Sequence, residues 1–528
     1  MNDNVKRVAI NNQDKSVDIT ENGSIELFAD GGYTGLGKVI VNTNVASGDT
    51  LSSHGSDVNF RDCDGTLLYS YSKDQFLALT ELPPLPTREG LICQGWNWDL
   101  GDAQSYVRDY GKQEIGATYI TDDGKTRLYI NITSEYSTDV SLCFNQTVSN
   151  GVIIDWGDGS STQTLSSSGK VSTTHVYSNI GTYIISLEVI EGCKLYLGHE
   201  SYSSGTILGK YNSSNWTNLD KLTAVEIGKN VPSIPKYAFY ACRKLSFITI
   251  PELLYIGRYA FYNSDVYYVH IPKSATTIEM NAFYVCKSLV YVSIPQSVRT
   301  IDSGAFMSCS SLYSVFLPEK VTAIEENTFS ECRSLTSITI SKNLTKIGTS
   351  AFSNCASLLS IPIPKTVTSY GLSMFQYSGL CDVPPINNFN ITDLFLGCAN
   401  LTEINIPEGT TAIGARAFST CTGIGSVFIP EGVTTIRSNA FLNCYRLIHV
   451  EFPSTITTIE SQAFSDGYAK RVFDFRKSTL VPTMEYSPDF NVDKLKIVVP
   501  DALYDEWIAA TNWASVASKI VKASEFNG

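Results

Sequence analysis

Residues 277–295 read TIEMNAFYVCKSLVYVSIP: an Ala-Phe pair, a cysteine three residues past the Phe, and an alternating run closed by Ile-Pro. The phrase returns down the chain. Phe239, Phe261, Phe283, Phe306, Phe329, Phe352 and Phe375 follow one another at 22 or 23 residues. After one step of 20, Phe395, Phe418, Phe441 and Phe464 resume a spacing of 23. A fixed period in this range marks a solenoid, in which each unit buries its apolar side only against its neighbours.

Within one unit, SLVYVSIP alternates as a strand does. Leu289, Val292 and Ile294 face inward, Tyr291 and Ser293 outward, and Pro295 stops the ladder because it has no N–H to donate. The second half, SVRTIDSGAF, turns back and returns an Ile and a Phe to the core. The stretch CDVPPINNFNITDLFLGC is the shortened unit, where a bend or a loop is expected.

Cys242, Cys286, Cys309, Cys332, Cys355, Cys398, Cys421 and Cys444 each lie three residues past an aligned Phe. Ser264, Ser378 and Gly467 take that place in three other units. A position that accepts Cys, Ser or Gly wants a small side chain at a tight corner, and a free thiol packs there as a small hydrophobe. Coils stacked about 4.8 Å apart also bring such thiols within disulfide reach, so bridges between coils stay open. No cysteine of the series belongs to a C-x-x-C pair, which argues against metal binding.

The phrase IPQSVRTIDSGAFMSCSSLYSVFLP resembles the BspA-like leucine-rich repeat, over roughly residues 220–475. That resemblance implies a non-catalytic binding protein displayed at a microbial surface. It also implies a terminal segment that closes the array. VPDALYDEWIAATNWASVASKIVKASEF fits such a cap, with Asp501 as helix N-cap and Leu503, Trp507 and Ile508 on one face.

Three segments precede the repeat. GVIIDWGDGSSTQTLSSSGKVSTTHVYSNIGTYIISLEV, residues 151–189, is similar to the polycystic-kidney-disease-type β-sandwich. Its Asp155 and Asp158 are weak calcium candidates; the competing reading is a turn whose carboxylates bond nearby backbone amides. Before it, NFRDCDGTLLYSY reads as a hairpin around Asp64-Gly65, Ser72 and Gln75 as a capping box, and YITDDGKTRLYINI as a second hairpin around Asp123-Gly124. Trp96 and Trp98 either stack on a sugar or fill the core of this small α+β unit. The first fifty residues, with ITENGSIELFADGGYTGLGKVIVNTNV, resemble short modules of bacteriophage tail proteins.

The expected organisation is therefore mostly β and multidomain: an anchor segment (1–50), an α+β domain (51–130), an immunoglobulin-like sandwich (131–205), the leucine-rich-repeat solenoid (206–475) and a helical cap (476–528). A net charge of -13 argues against nucleic-acid binding. No apolar run reaches the roughly 20 residues of a membrane-spanning helix. The first residues lack the apolar core of a secretory signal, as expected of a virion protein assembled in a host cytoplasm, or of a chain whose leader has been removed.

The repeat's outward strand positions are the natural binding face. They are Phe247 and Thr249, Tyr268 and His270, Tyr291 and Ser293, Ser314 and Phe316, then Ser337 and Thr339, Ser360 and Pro362, Glu403 and Asn405, Ser426 and Phe428, and His449 and Glu451. Phe247, Tyr268, His270, Tyr291 and Phe316 form the candidate site, since aromatic rings suit protein or carbohydrate contacts. The alternative is that these rings pack under the preceding domain or pair across strands. No nucleophile elbow, zinc-protease helix or phosphate-binding loop is present, so no enzyme, cofactor or metal is expected.

Three functions fit. One is a tail-associated virion protein that contacts other virion proteins through its N-terminal region and a bacterial surface protein or glycan through its repeats. The second is a BspA-like adhesin at the bacterial cell surface that binds host protein or glycan. The third is a purely architectural virion subunit. Self-association is open in each.

Overall fold

The computed structural model describes residues 57–134, 137–198, 206–209, 219–465, 471–485 and 495–526, together with 6–7 and 25–26. Lys6–Arg7 and Ile25–Glu26 pair in parallel; the rest of the expected anchor segment lies outside the described residues.

The α+β domain is a four-stranded sheet in the order Leu67–Tyr71, Val58–Arg61, Gln113–Thr121, Leu91–Trp96, with helices Lys73–Leu77 and Leu100–Tyr110. The hairpin at Asp64-Gly65 forms, with Gly65 at φ +86 where a side chain is strained. The capping box also forms: Ser72 Oγ accepts from Gln75 N and the Gln75 side chain accepts from Ser72 N. Trp96 and Trp98 are 3% and 2% exposed, so they fill this core and are not open to a sugar.

Asp123-Gly124 does turn the chain, but it makes no hairpin. Gln113–Thr121 stays in the α+β sheet, whereas Thr126–Ile132, assigned above to the α+β unit, pairs with Gly181–Val189 and Leu222–Glu226 in the sandwich. The turn is thus the junction between domains.

The sandwich has one sheet of Gly169–Val176, Asp139–Gln146 and Leu195–Leu197. Its other sheet runs Gln163–Thr164, Val152–Asp155, Gly181–Val189, Thr126–Ile132 and on into Leu222–Glu226 and Phe247–Thr249, the first strands of the solenoid. One apolar core is continuous from Leu128 to Ile520. The sandwich therefore closes the N-terminal end of the repeat, the capping that a solenoid requires.

Most coils have two short strands, such as Tyr291–Ser293 and Thr300–Ile301, each parallel to its counterpart on the neighbouring coil, and a turn carrying the Phe. The aligned rings stack from Phe239 to Phe464 with centroids 5.0–5.8 Å apart. Left-handed residues flank the ring two positions before and after, as at Asn281 and Val285 or Asn439 and Asn443. That alternation aims the amides of Asn281, Phe283 and Val285 at the carbonyls of Ser303, Ala305 and Met307 on the next coil.

The thiols do more than fill a corner. Cys286, Cys309, Cys332, Cys355, Cys421 and Cys444 each donate to the carbonyl of the Phe one coil back, at 2.9–3.2 Å. Ser264 makes the same bond to Phe239 O, which explains why Cys and Ser interchange. Burial holds the thiols protonated, with Cys398 pushed up to about 11 and Cys355 and Cys444 to about 12. The described cysteines carry no disulfide. At the last coil the buried Arg471 guanidinium donates instead to Cys444 O, Leu447 O and Phe464 O.

In the shortened coil the Phe stack continues at 5.7 Å from Phe375 to Phe395, and Phe389 inserts beside it. The strand-face ladder stops after Ser337–Thr339 and resumes fully only at Ser426–Phe428, because Pro362, Pro384 and Pro385 remove donors between them.

The C-terminal cap adds two further parallel strands, Leu495–Val499 and Ile520–Lys522, around a helical turn at Tyr504–Ala509. Asp501 is not an N-cap: Pro500 precedes a 3-10 turn at Asp501–Leu503, Leu503 is the N-cap of Tyr504–Ala509, and Asp501 accepts from Ser524 N instead. Trp507 and Trp513 close on Phe475, while Ile508 faces out. Among the described residues no helix is long and apolar enough to cross a membrane.

Candidate functional site

The strands bring the predicted aromatic residues together as expected. Tyr268 and Tyr291 are in register, as are His270 and Ser293. Yet this face is not open. The α+β domain lies across it, so the expectation of an outward aromatic site is corrected. His270 and Tyr291 are 5% and 6% exposed, and Phe247 and Phe316 pack against the α+β core. Arg88 sits 5.7 Å from the Phe247 ring centroid.

The closeness depends on two glycines. A Cβ on Gly65 would stand 2.4 Å from the Tyr268 ring, and one on Gly116 2.0 Å from His270 Nδ1. Polar groups are matched across the contact. Tyr291 Oη and Ser293 Oγ donate to Glu114 O, Asn97 Nδ2 donates to Ile271 O and Ser293 Oγ, and Tyr106 Oη donates to Leu317 O. At the rim Lys273 pairs with Asp99 and Lys342 with Asp109. The sequence had offered packing under a preceding domain as the alternative; the covering domain is the α+β unit.

The weak calcium candidates are engaged otherwise. Asp155 accepts from Gly157 N at 2.9 Å; Asp158 accepts from Ser160 N at 3.0 Å and meets His175 Nε2 at 2.7 Å. The Ser160 bond, with His175 behind it, holds the Asp158 carboxyl down at about 2. Among the described residues no three His, Cys, Asp or Glu side chains converge on a metal-sized site.

Beyond Lys342 the same strand face is uncovered. Ser360, Pro362, Glu403, Asn405, Ser426 and Phe428 are exposed, and His449 and Glu451 half-buried. Phe428, 54% exposed, lies in register between Asn405 and Glu451. Lys477 places its ammonium 5.0 Å from the ring centroid and 2.7 Å from Glu451. The carboxylate raises that ammonium's pKa. The open face thus presents one flat apolar ring, an amide, a carboxylate, an ammonium and hydroxyls. Phe428 was visible in the sequence as an outward residue. It lies outside the run of aromatic residues on the adjacent strands of the first four coils.

The repeat geometry has its counterpart in known proteins. The model of the BspA type leucine-rich repeat region matches residues 206–264, 254–382 and 391–484 in six copies. The chain belongs to this family. Similar solved structures include a leucine-rich repeat protein of Bacteroides ovatus (25% identity over 57% of this chain and 84% of that one, TM-score 0.49). They also include a leucine-rich cell surface protein of Faecalibacterium prausnitzii (26%, 49% and 80%, 0.32) and the pneumococcal vaccine antigen PcpA (16%, 57% and 92%, 0.35). No curated protein matches the chain. In this BspA type chain the match begins at residue 206, after the α+β domain and the sandwich strands.

Proposed function

We propose that this chain is a non-catalytic recognition protein whose open strand face, from Ser360 to Glu451 with Lys477 beside it, binds a protein or glycan at a cell surface. The difference in cover along one face carries the reading: the α+β domain occupies the coils up to Lys342, and Phe428 with its polar neighbours stays exposed. Protein ligands and sugars both use a flat ring flanked by hydrogen-bonding groups. Fold supplies the rod, and the site supplies the specificity.

Two places of display follow from different residues. Membership in the BspA type family favours a bacterial cell surface. The likeness of residues 1–50 to bacteriophage tail modules favours a virion tail, with the N-terminal region as the attachment. Immunogold labelling with an antibody to the rod separates them, since label on tails excludes the envelope reading and label on envelopes alone excludes the virion. Recognition itself is tested by binding of the purified chain to whole bacteria. Phe428→Ala is expected to weaken binding at least tenfold with the fold intact. Unchanged binding moves the site elsewhere.

A further inference from the structure

Among the described residues His270 is the one histidine in the contact between the α+β domain and the solenoid, and its surroundings suit only the neutral ring. Nε2 donates to Asp62 O at 2.8 Å, which fixes the proton there. Nδ1 is buried and has no hydrogen-bond partner, and Gly116 packs against the ring, a Cβ there standing 2.0 Å from Nδ1.

We propose that the α+β domain is a reversible cover over the aromatic strand face, seated at neutral pH and released when His270 Nδ1 takes up a proton. A second proton would have no acceptor inside the contact, and leaving a buried N–H unpaired is costly. The charged groups around the ring are already committed. Arg61 and Glu114 pair with each other at 2.7 Å. The Asp62 carboxylate accepts from Tyr119 Oη at 2.6 Å and pairs with Arg88, which also holds Asp64. From the next coil Tyr291 stands with its ring centroid 6.3 Å from that of His270 and Ser293 is in register with it, neither of them ionised at neutral or acid pH.

The sign follows from linkage. Burial outweighs the attraction of Asp62 and Asp64 and holds His270 down at about 4 while the cover is seated. A solvated histidine titrates near 6.5. The cover is fully favoured above pH ~6.5, and its seating constant falls about tenfold per pH unit from there to pH ~4, roughly 300-fold in all. Release uncovers Phe247, Tyr268, Tyr291 and Phe316, extending the recognition face in acid surroundings. This does not depend on which ligand the open half binds.

Two amides report the seating directly. Glu252 N donates to Gln94 Oε1 and Lys342 N to Tyr110 Oη, bonds that exist only across the contact. Hydrogen exchange of the full chain, corrected for the intrinsic rate at each pH, is expected to show their protection falling about tenfold per unit below pH ~6.5. In His270→Gln, whose amide can keep the bond to Asp62 O without titrating, protection is expected to stay level. Level protection in the natural chain, or an equal fall in both proteins, overturns the proposal. If His270→Gln is already open at neutral pH, NMR of labelled histidine in the natural chain decides. A His270 titration in step with opening supports the cover, and a titration near pH 6.5 with the amides still protected overturns it.

Discussion

Gly116 lies flat against the imidazole of His270, so close that a Cβ on the glycine would stand 2.0 Å from Nδ1. The contact joins residues 154 positions apart in the chain and fixes where the α+β domain meets the rod. Gly116→Ala is expected to weaken seating by about 1–3 kcal/mol through overpacking, read as faster exchange at Lys342 N. Gly101→Ala is the control: nothing lies within 4 Å of its Cβ, so seating should be unchanged.

The thiol series makes a second expectation. Cys309 Sγ donates to Phe283 O at 3.1 Å. Cys309→Ala removes the donor and leaves a void, for a cost of about 1–2 kcal/mol in chemical denaturation. Cys309→Ser keeps the donor, as Ser264 does in its own coil, and is expected to cost less. Equal midpoints for the two variants would show that the position needs only a small side chain.

Val285 occupies a left-handed turn at φ +64, where other coils place Asn263, Asn354, Asn443 or Gly397. A β-branched residue is strained there. Val285→Asn is expected to raise stability by about 1 kcal/mol. The reverse change, Asn354→Val, is expected to lower it by a similar amount. A destabilised Val285→Asn would mean that the valine's packing outweighs the strain.

The aromatic rings of the two half-faces should differ in what they affect. Tyr291→Phe removes the bond to Glu114 O and is expected to cost about 1 kcal/mol of seating, with cell binding at neutral pH unchanged. Phe428→Ala is expected to do the opposite, leaving Lys342 N protected while binding falls. Both are read by pairing hydrogen exchange with cell-binding assays. A loss of binding at neutral pH in Tyr291→Phe would contradict the division of the face.

The repeat was legible because each coil restates it: the Phe spacing, the alternation in SLVYVSIP and the Ile-Pro stop all survive into the structure. The small-residue corner was legible too, but not the S–H bond, since the acceptor carbonyl lies one coil back. Asp123-Gly124 carried a sound local turn signal. Turn chemistry does not choose strand partners, and the strands on either side joined different sheets. Asp501 looked like a cap because Asp after Pro favours helix starts, yet its carboxylate was taken by Ser524 N. The cover over Tyr268, His270 and Tyr291 was beyond the pattern, because it rests on two glycines and several carbonyls from a distant part of the chain. Its one trace in the sequence was the crowding of rings and a histidine at outward positions of the early coils.

The central claim is that the α+β domain sits across the first coils and leaves the later face open. Zero-length carbodiimide cross-linking of the full chain at neutral pH, followed by peptide mass spectrometry, tests it most directly. Seating predicts joined peptides between Lys342 and Asp109 and between Lys273 and Asp99, alongside the within-rod pair Lys346 and Glu325. Recovery of the Lys346–Glu325 product without either of the other two would contradict it.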